Sequence, residues 1–199
     1  MSEATERRIL EGARHALDER GLDGCSVQDI LRRASVSRRT FYQYFRGKDG
    51  VMLALYQELM DQLVACMREA VHGTDDPARQ VIAGIGAYLD RQVDGGSLLR
   101  QLQERAPSDP HLAPLRERTL DRVVELLDEG VVRALGLRLD PLVYRGLLMA
   151  GEGLVLHVQR GGDFGATEKA QVLGIMGPMF LSTLAAGALL PERAAPSGR

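Results

Sequence analysis

Tryptophan is absent from this 199-residue sequence, and the other aromatics amount to five Tyr and four Phe. Cysteine is nearly absent too. Cys25 and Cys66 form no CxxC and no even-spaced framework, which excludes a disulfide scaffold and points to a reduced intracellular compartment. Cys25 reads either as a structural thiol or as a redox sensor. No hydrophobic run is long enough to span a bilayer: the longest, residues 175–190, is interrupted by Pro178, Ser182 and Thr183. The opening MSEATERR has no apolar signal region. A soluble cytoplasmic protein without membrane contact is expected.

Catalytic signatures are lacking as well. GCSVQ, residues 24–28, starts like a nucleophile elbow but has Gln28 where Gly is needed. GIGAYL and GEGLVL lack the third Gly of a dinucleotide fingerprint and follow no strand pattern. His15, His72, His111 and His157 are scattered, with no HExxH and no Cys/His pair, so neither a metal nor a cofactor is expected. The sequence does not read as an enzyme.

What is present is unevenly placed. Residues 1–50 carry ten Lys/Arg against eight Asp/Glu, whereas the rest carries fifteen against nineteen. From Ser26 to Lys48 the six cations Arg32, Arg33, Arg38, Arg39, Arg46 and Lys48 face only Asp29. Such a patch is either a solvated surface or a face that meets a polyanion. Four of the nine aromatics, Phe41, Tyr42, Tyr44 and Phe45, fall within five residues of SRRTFYQYF, residues 37–45.

Periodicity is helical nearly everywhere, so the fold class is all-α. Thr5–Arg20 places Ile9, Ala13, Ala16 and Leu17 on one stripe, with Gly21 at a natural C′ position. Ser26 with Asp29 makes a variant of the capping box for a short helix whose Val27, Ile30, Leu31 and Ala34 share a face. A tight turn follows, and Ser37 caps a second short helix from Arg38 to about Tyr44. On that helix Phe41 and Phe45 are i,i+4 neighbours that can close a small three-helix core. Arg38 with Tyr42, Arg39 with Gln43, and Thr40 with Tyr44 then face outward. Two short helices with an exposed basic second one make a helix-turn-helix.

Residues 26–53, SVQDILRRASVSRRTFYQYFRGKDGVML, resemble the DNA-binding signature of the tetracycline-repressor (TetR) family of bacterial regulators. The matching positions are Ser26, Ala34, Val36, Ser37, Thr40, Tyr42, Phe45 and Lys48. Ser35 departs from the pattern: the family usually has Gly at this turn, and a left-handed conformation costs a non-Gly residue about 1–2 kcal/mol. Leu31 departs too, standing where the family often has Ala. The resemblance implies that Thr40, Tyr42 and Lys48 hold the phosphate backbone, and that Arg38, Arg39, Gln43 and Tyr44 read bases. Ser26, Gln28 and Ser37 complete the DNA-contacting set. Arg can bind guanine and Gln adenine through two hydrogen bonds each.

The division expected is a DNA-binding domain over 1–47, a helical ligand-binding and dimerisation domain over 48–190, and a disordered tail over 191–199. Helices are expected over Lys48–His72, Pro77–Val93, Ser97 to about Arg105, Leu112–Leu135, from Pro141 to near Gly161, and Glu168–Leu190, the last kinked at Pro178. Small residues recur on the last two: Gly146, Ala150 and Gly153, then Ala170, Gly174, Gly177, Ala185 and Ala188. The resemblance implies a homodimer through these two helices, a palindromic double-stranded DNA operator, and a small-molecule effector held among residues 60–156. Tyr88, Gln92, Gln103, Tyr144 and Glu152 are the polar-tipped candidates for the effector site. Glu152 reads either as a ligand contact or as the partner of Arg145 or of an arginine across the dimer. Met60, Met67 and Met149 read as core or as adaptable pocket lining. The whole is a ligand-responsive regulator, a repressor released by its effector. The alternatives are a helical small-molecule-binding or interaction protein, or an enzyme, without DNA binding.

Overall fold

The computed structural model describes residues 2–136 and 138–187. All regular structure among the described residues is helical. Its elements are α1 (Glu3–Gly24), α2 (Val27–Ala34), α3 (Arg38–Tyr44), α4 (Lys48–His72), α5 (Pro77–Arg105), α6 (Ala113–Leu135), α7 (Pro141–Gln159) and α8 (Ala166–Gly187). The all-α expectation holds, and most boundaries fall where caps and breakers place them. The chain forms two compact units. One joins the chain up to Leu63 with Arg91–Thr119, and the other joins Val64–Asp90 with the chain from Leu120.

In the first unit the expected stripe of α1 is buried: Ile9, Ala13, Ala16 and Leu17 are all at most 1% exposed. α1 extends past its expected end, with Gly21 as a non-helical break at φ 72° before the turn to Gly24. Only Gly takes such a conformation without steric cost. α1 packs on α2 at very short range, because Gly12 lies against the Ala34 backbone. A Cβ added at Gly12 would sit 2.6 Å from the Ala34 amide nitrogen.

α2 opens with the capping box that Ser26 and Asp29 predict. The Ser26 hydroxyl accepts from the Asp29 amide at 3.3 Å, and the Ser26 amide donates to Asp29 Oδ2 at 3.0 Å. It closes at Ser35, which is left-handed at φ 51° and ψ 45°, so the turn does impose on serine the conformation suited to glycine. Ser37 caps α3 by accepting from the Thr40 amide at 3.0 Å. A seven-residue helix is too short to be stable alone. Its anchors are Phe41, fully buried, and Phe45, nearly so, with ring centroids 6.0 Å apart. Ile30 and Ala34 are buried with them, whereas Val36 is only half-buried.

α5 differs from the two helices expected over this stretch. It is one element interrupted only at Gly96, whose φ of 55° and ψ of −148° are not helical. In the second unit Ile85, Leu89, Leu147, Val155, Val172, Met176 and Phe180 form the core. Asp140 caps α7 through the Leu142 amide at 2.9 Å, with Pro141 in the first turn. α8 starts two residues earlier than its expected Glu168. That carboxylate reaches back to accept from the Gly165 amide at 3.0 Å. The expected end of α8 at Leu190 and the tail over 191–199 lie outside the described residues. No helix among the described residues is long and apolar enough to cross a membrane.

Candidate functional site

The basic stretch of the sequence separates into two kinds of arginine. Arg33 is paired with Glu19, while Arg20 and Arg32 lie 3.4 and 3.6 Å from Asp29 Oδ1. These charges are paired on the α1–α2 surface. Asp29 is well suited to hold them: the hydrogen bond from the Ser26 hydroxyl, first of all, keeps its carboxyl below the usual range. Arg38, Arg39 and Arg46 are exposed, and no hydrogen bond or ion pair among the described residues engages their guanidiniums. An unpaired guanidinium keeps its full set of donors for phosphate or for a guanine edge.

The α3 surface carries the rest of that set. Gln43 is exposed beside Arg39, and Tyr42 is half-exposed, its ring held edge-on to Phe41 at 5.3 Å between centroids. The buried side of the helix therefore fixes the exposed side. Gln28 is exposed on α2, and Thr40 is half-buried on α3.

The remaining residues expected to touch DNA are engaged within the chain. The Ser26 hydroxyl donates to Asp29 Oδ2 at 2.6 Å as part of its cap, and the Ser37 and Thr40 hydroxyls share a hydrogen bond at 2.9 Å. The Tyr44 hydroxyl accepts from the Ser2 amide at 2.8 Å and donates to the Ser2 carbonyl at 3.3 Å. It ties the start of α1 to α3. Lys48 does open α4, but its ammonium donates to the carbonyls of Leu22 and Cys25 at 2.8 and 3.1 Å. One of its three donors is left over. The fold thus gives Tyr44 and Lys48 structural partners that local spacing does not reveal, whereas the bonds of Ser26 and Ser37 are those of the expected caps.

The turn that Lys48 grips is held from α5 as well. Gln101 Oε1 accepts from the Leu22 amide at 3.0 Å, and Arg105 bridges Asp23 and Asp109, each at 3.1 Å. Sequence reasoning passed over Gln101 and Arg105, because Leu22 and Asp23, which they meet in this turn, lie 79 and 82 residues away along the chain. Cys25 sits in the same turn, buried, with burial pushing its thiol up from the usual range. Burial of the thiol fits the structural reading better than the sensor, since the thiolate is the reactive form.

The five effector candidates are distributed over both units. Gln92 and Gln103 are buried in the first. Neither polar atom of the Gln92 carboxamide has a hydrogen-bond partner, and neither does Gln103 Oε1. Tyr88 is partly buried against the core of the second unit, and Glu152 is half-buried there. Arg145, one proposed partner of Glu152, is paired with Asp121. Met60 and Met67 are buried core, whereas Met149 is exposed.

Tyr144 lines a small, partly open apolar cavity. Five helices of the second unit contribute to the wall, represented by Val71, Gln80, Leu126, Gly130, Tyr144 and Phe180. α8 takes part, so the cavity extends beyond the 60–156 span expected for it. Gln80 is a lining residue that sequence reasoning missed, since a lone Gln in the first turn of a helix reads as surface. Tyr144 Oη donates to Asp128 Oδ1 at 3.4 Å, and Asp128 is held by Arg138 at 2.7 Å. Burial, then the nearby Asp128 charge, pushes the phenol up to about 12, so it stays neutral. No group of three or more metal-ligating side chains occurs among the described residues.

Residues 9–55 match the model of the tetR family of bacterial regulatory proteins. Over 177 residues the chain is 30% identical to the HTH-type transcriptional regulator BetI of Pseudomonas fluorescens, covering 85% of this chain and 89% of that protein. It is 32% identical over 69 residues to YvdT, an uncharacterized HTH-type transcriptional regulator of Bacillus subtilis, covering 35% of this chain. The chain spans only 36% to 60% of the length of YvdT and other curated relatives that it matches. Among solved structures, a transcriptional regulator from Rhodococcus sp. Rha1 superposes with a TM-score of 0.71. It is 23% identical, covering 93% of this chain and 98% of that one.

Proposed function

The chain belongs to the tetR family of bacterial regulatory proteins, and from that premise we propose that it is a dimeric, effector-responsive repressor of transcription acting on a palindromic operator in the cytoplasm. The observation that carries the reading is the α3 surface: unpaired Arg38 and Arg39 beside Tyr42 and Gln43, on a helix locked from behind by Phe41. In this reading Arg38, Arg39 and Gln43 meet base edges in the major groove, while Tyr42 and Thr40 hold phosphate. Gln28 reaches the adjacent backbone. Ser26, Ser37, Tyr44 and Lys48 keep the reading helix in place, and Lys48 offers its remaining donor to phosphate.

Two heads reading a palindrome require a twofold axis. The outer sides of α7 and α8 support one. Leu142, Met149 and Ile175 are 71%, 55% and 47% exposed, and among the described residues a Cβ at Gly146, Gly153 or Gly174 would meet nothing within 4 Å. Apolar and small residues left uncovered at helical spacing suit a close helix contact with a second copy.

Effector binding is supported by the cavity around Tyr144 in the second unit and, in the first, by the unsatisfied Gln92 carboxamide and Gln103 Oε1. Leaving such groups buried without partners costs about 1–3 kcal/mol each. Chain continuity supplies a route for the response. α5 carries Gln80 at the cavity and Gln101 and Arg105 at the head turn, with the Gly96 break between them. α4 runs from Lys48 at the head to Val71 at the cavity. An effector that prefers one arrangement of these helices weakens operator binding reciprocally, with a coupling of about 1–3 kcal/mol.

The test is selection of bound sequences from random duplex DNA, followed by a salt titration on the selected site. A palindromic site with affinity falling steeply with salt is expected. Arg39→Ala should cost about 1–3 kcal/mol at particular base pairs, and Tyr42→Phe should weaken all sites about equally. Selection that yields no preferred sequence, with salt-independent binding, would end the regulator reading.

A further inference from the structure

The cavity of the second unit has a chemistry narrower than its size suggests. Apart from Gln80 and Tyr144, every lining side chain is apolar, and none of the lining residues carries a charge. Gln80 is 6% exposed and held in one orientation, because its Nε2 donates to the Thr74 carbonyl at 2.8 Å. That bond assigns the amide unambiguously, since only the nitrogen can donate. Oε1 is thereby turned toward Gly130, where an added Cβ would lie 3.6 Å from it, and no donor among the described residues reaches it. The absence of a side chain at Gly130 leaves that acceptor uncovered.

The polar groups of the cavity are therefore the Gln80 carboxamide, whose Oε1 is unengaged, and one neutral phenol that donates its hydrogen bond to Asp128. An unengaged acceptor held in one orientation favours a ligand that donates to it. A carboxylate, phosphate or ammonium placed inside would be an unpaired charge in an apolar wall, which is far costlier than an unpaired neutral group. We propose that this cavity is the effector site and selects an uncharged molecule with an apolar body and a single hydroxyl or amide N–H, which donates to Gln80 Oε1. The inference rests on the effector-responsive reading above and adds to it the ligand class and the residue that recognises it. Gln80 occupies the first turn of α5, so a ligand held there acts on the same helix that carries Gln101 and Arg105 at the head turn.

Three probes of one shape separate the chemistry: 4-propylphenol (a neutral donor), 4-propylanisole (no donor) and 4-propylbenzoate (charged). Calorimetric titration of the full chain should show 4-propylphenol binding, the anisole about tenfold weaker for loss of one hydrogen bond, and the benzoate at least about a hundredfold weaker. Gln80→Met should bring the phenol down to the affinity of the anisole and leave the anisole unchanged. If Gln80→Met fails to fold, the three affinities of the wild-type protein still decide. Equal affinity for phenol and anisole, a benzoate that matches the phenol, or no phenol binding at millimolar concentration would each overturn the proposal. Gel shifts on the same preparation keep the two readings apart. Intact operator binding with a failed probe series removes the ligand class alone. Absent operator binding strikes the regulator reading and leaves the probe series to be judged by itself.

Discussion

Replacing Gly12 by alanine sets two physical effects against each other with opposite sign. Gly12 lies inside α1, and exchanging a helix-interior Gly for Ala contributes about 1 kcal/mol of stability by intrinsic propensity. The tertiary environment argues the other way. The new Cβ would sit 2.6 Å from the Ala34 nitrogen and 2.8 Å from both its Cα and its Cβ. Carbon contacts are comfortable at about 3.5–4.0 Å, so α2 must retreat by about 1 Å. Backbone atoms cannot step aside as a long side chain can. Overpacking of this kind costs about 1–3 kcal/mol and occasionally more. With three atoms of one residue overlapped, the upper part of that range applies. The net effect should be a loss of about 1–2 kcal/mol, lowering the melting temperature by about 2–8 °C in a chain of this size. The control is Gly86→Ala in α5, where an added Cβ meets nothing within 4 Å and the propensity gain should appear undiminished. Urea and thermal melts on both variants test the reasoning. Operator affinity of Gly12→Ala should fall as well, because α2 and the turn to α3 move together. A Gly12→Ala protein as stable as wild type or more so would show that the α1–α2 approach is looser than described, and the packing argument would fail.

The remaining predictions concern assembly and acid stability. Gly174→Leu should raise the monomer fraction in sedimentation and lower operator affinity in parallel while leaving the monomer fold intact, since among the described residues an added Cβ meets nothing within 4 Å. Gly177→Leu should instead destabilise the subunit, because a Cβ there already meets Ile82 Cδ1 at 2.8 Å; equal behaviour of the two variants would refute this division. The Asp29 carboxyl is held below the ordinary range, chiefly by the Ser26 hydroxyl, so its contribution is present above the unfolded value of about 3.9 and is lost as pH falls through the folded value. Asp29→Asn should therefore lower the melting temperature at pH 7, and its difference from wild type should shrink progressively as pH falls below about 4. A difference that stays constant down to pH 2 would exclude the linkage.

What the sequence determined by itself is what depends on neighbours along the chain. The Ser26–Asp29 box, the Ser37 and Asp140 caps, the breaks at Gly21 and Gly96, and the left-handed strain at Ser35 all arise within a few residues. Each follows from backbone sterics or from donors that a helix end leaves unpaired. The stripe on α1 and the Phe41–Phe45 pair follow from the 3.6-residue period, which fixes the buried side before any partner is known. Tertiary structure decided which polar groups remain available. Arg33 and Arg39 are both exposed arginines, yet Glu19 takes up one and leaves the other unpaired. Tyr44 meets Ser2 across 42 residues, Lys48 meets Leu22 across 26, and Gln101 meets Leu22 across 79. Gln80 becomes a recognition group only because five helices close an uncharged wall around it. A long side chain has several donors or acceptors and many rotamers, so its partner is whichever complementary group the fold brings within 3 Å. Local spacing fixes the side of the helix from which it projects, and packing fixes what it meets there.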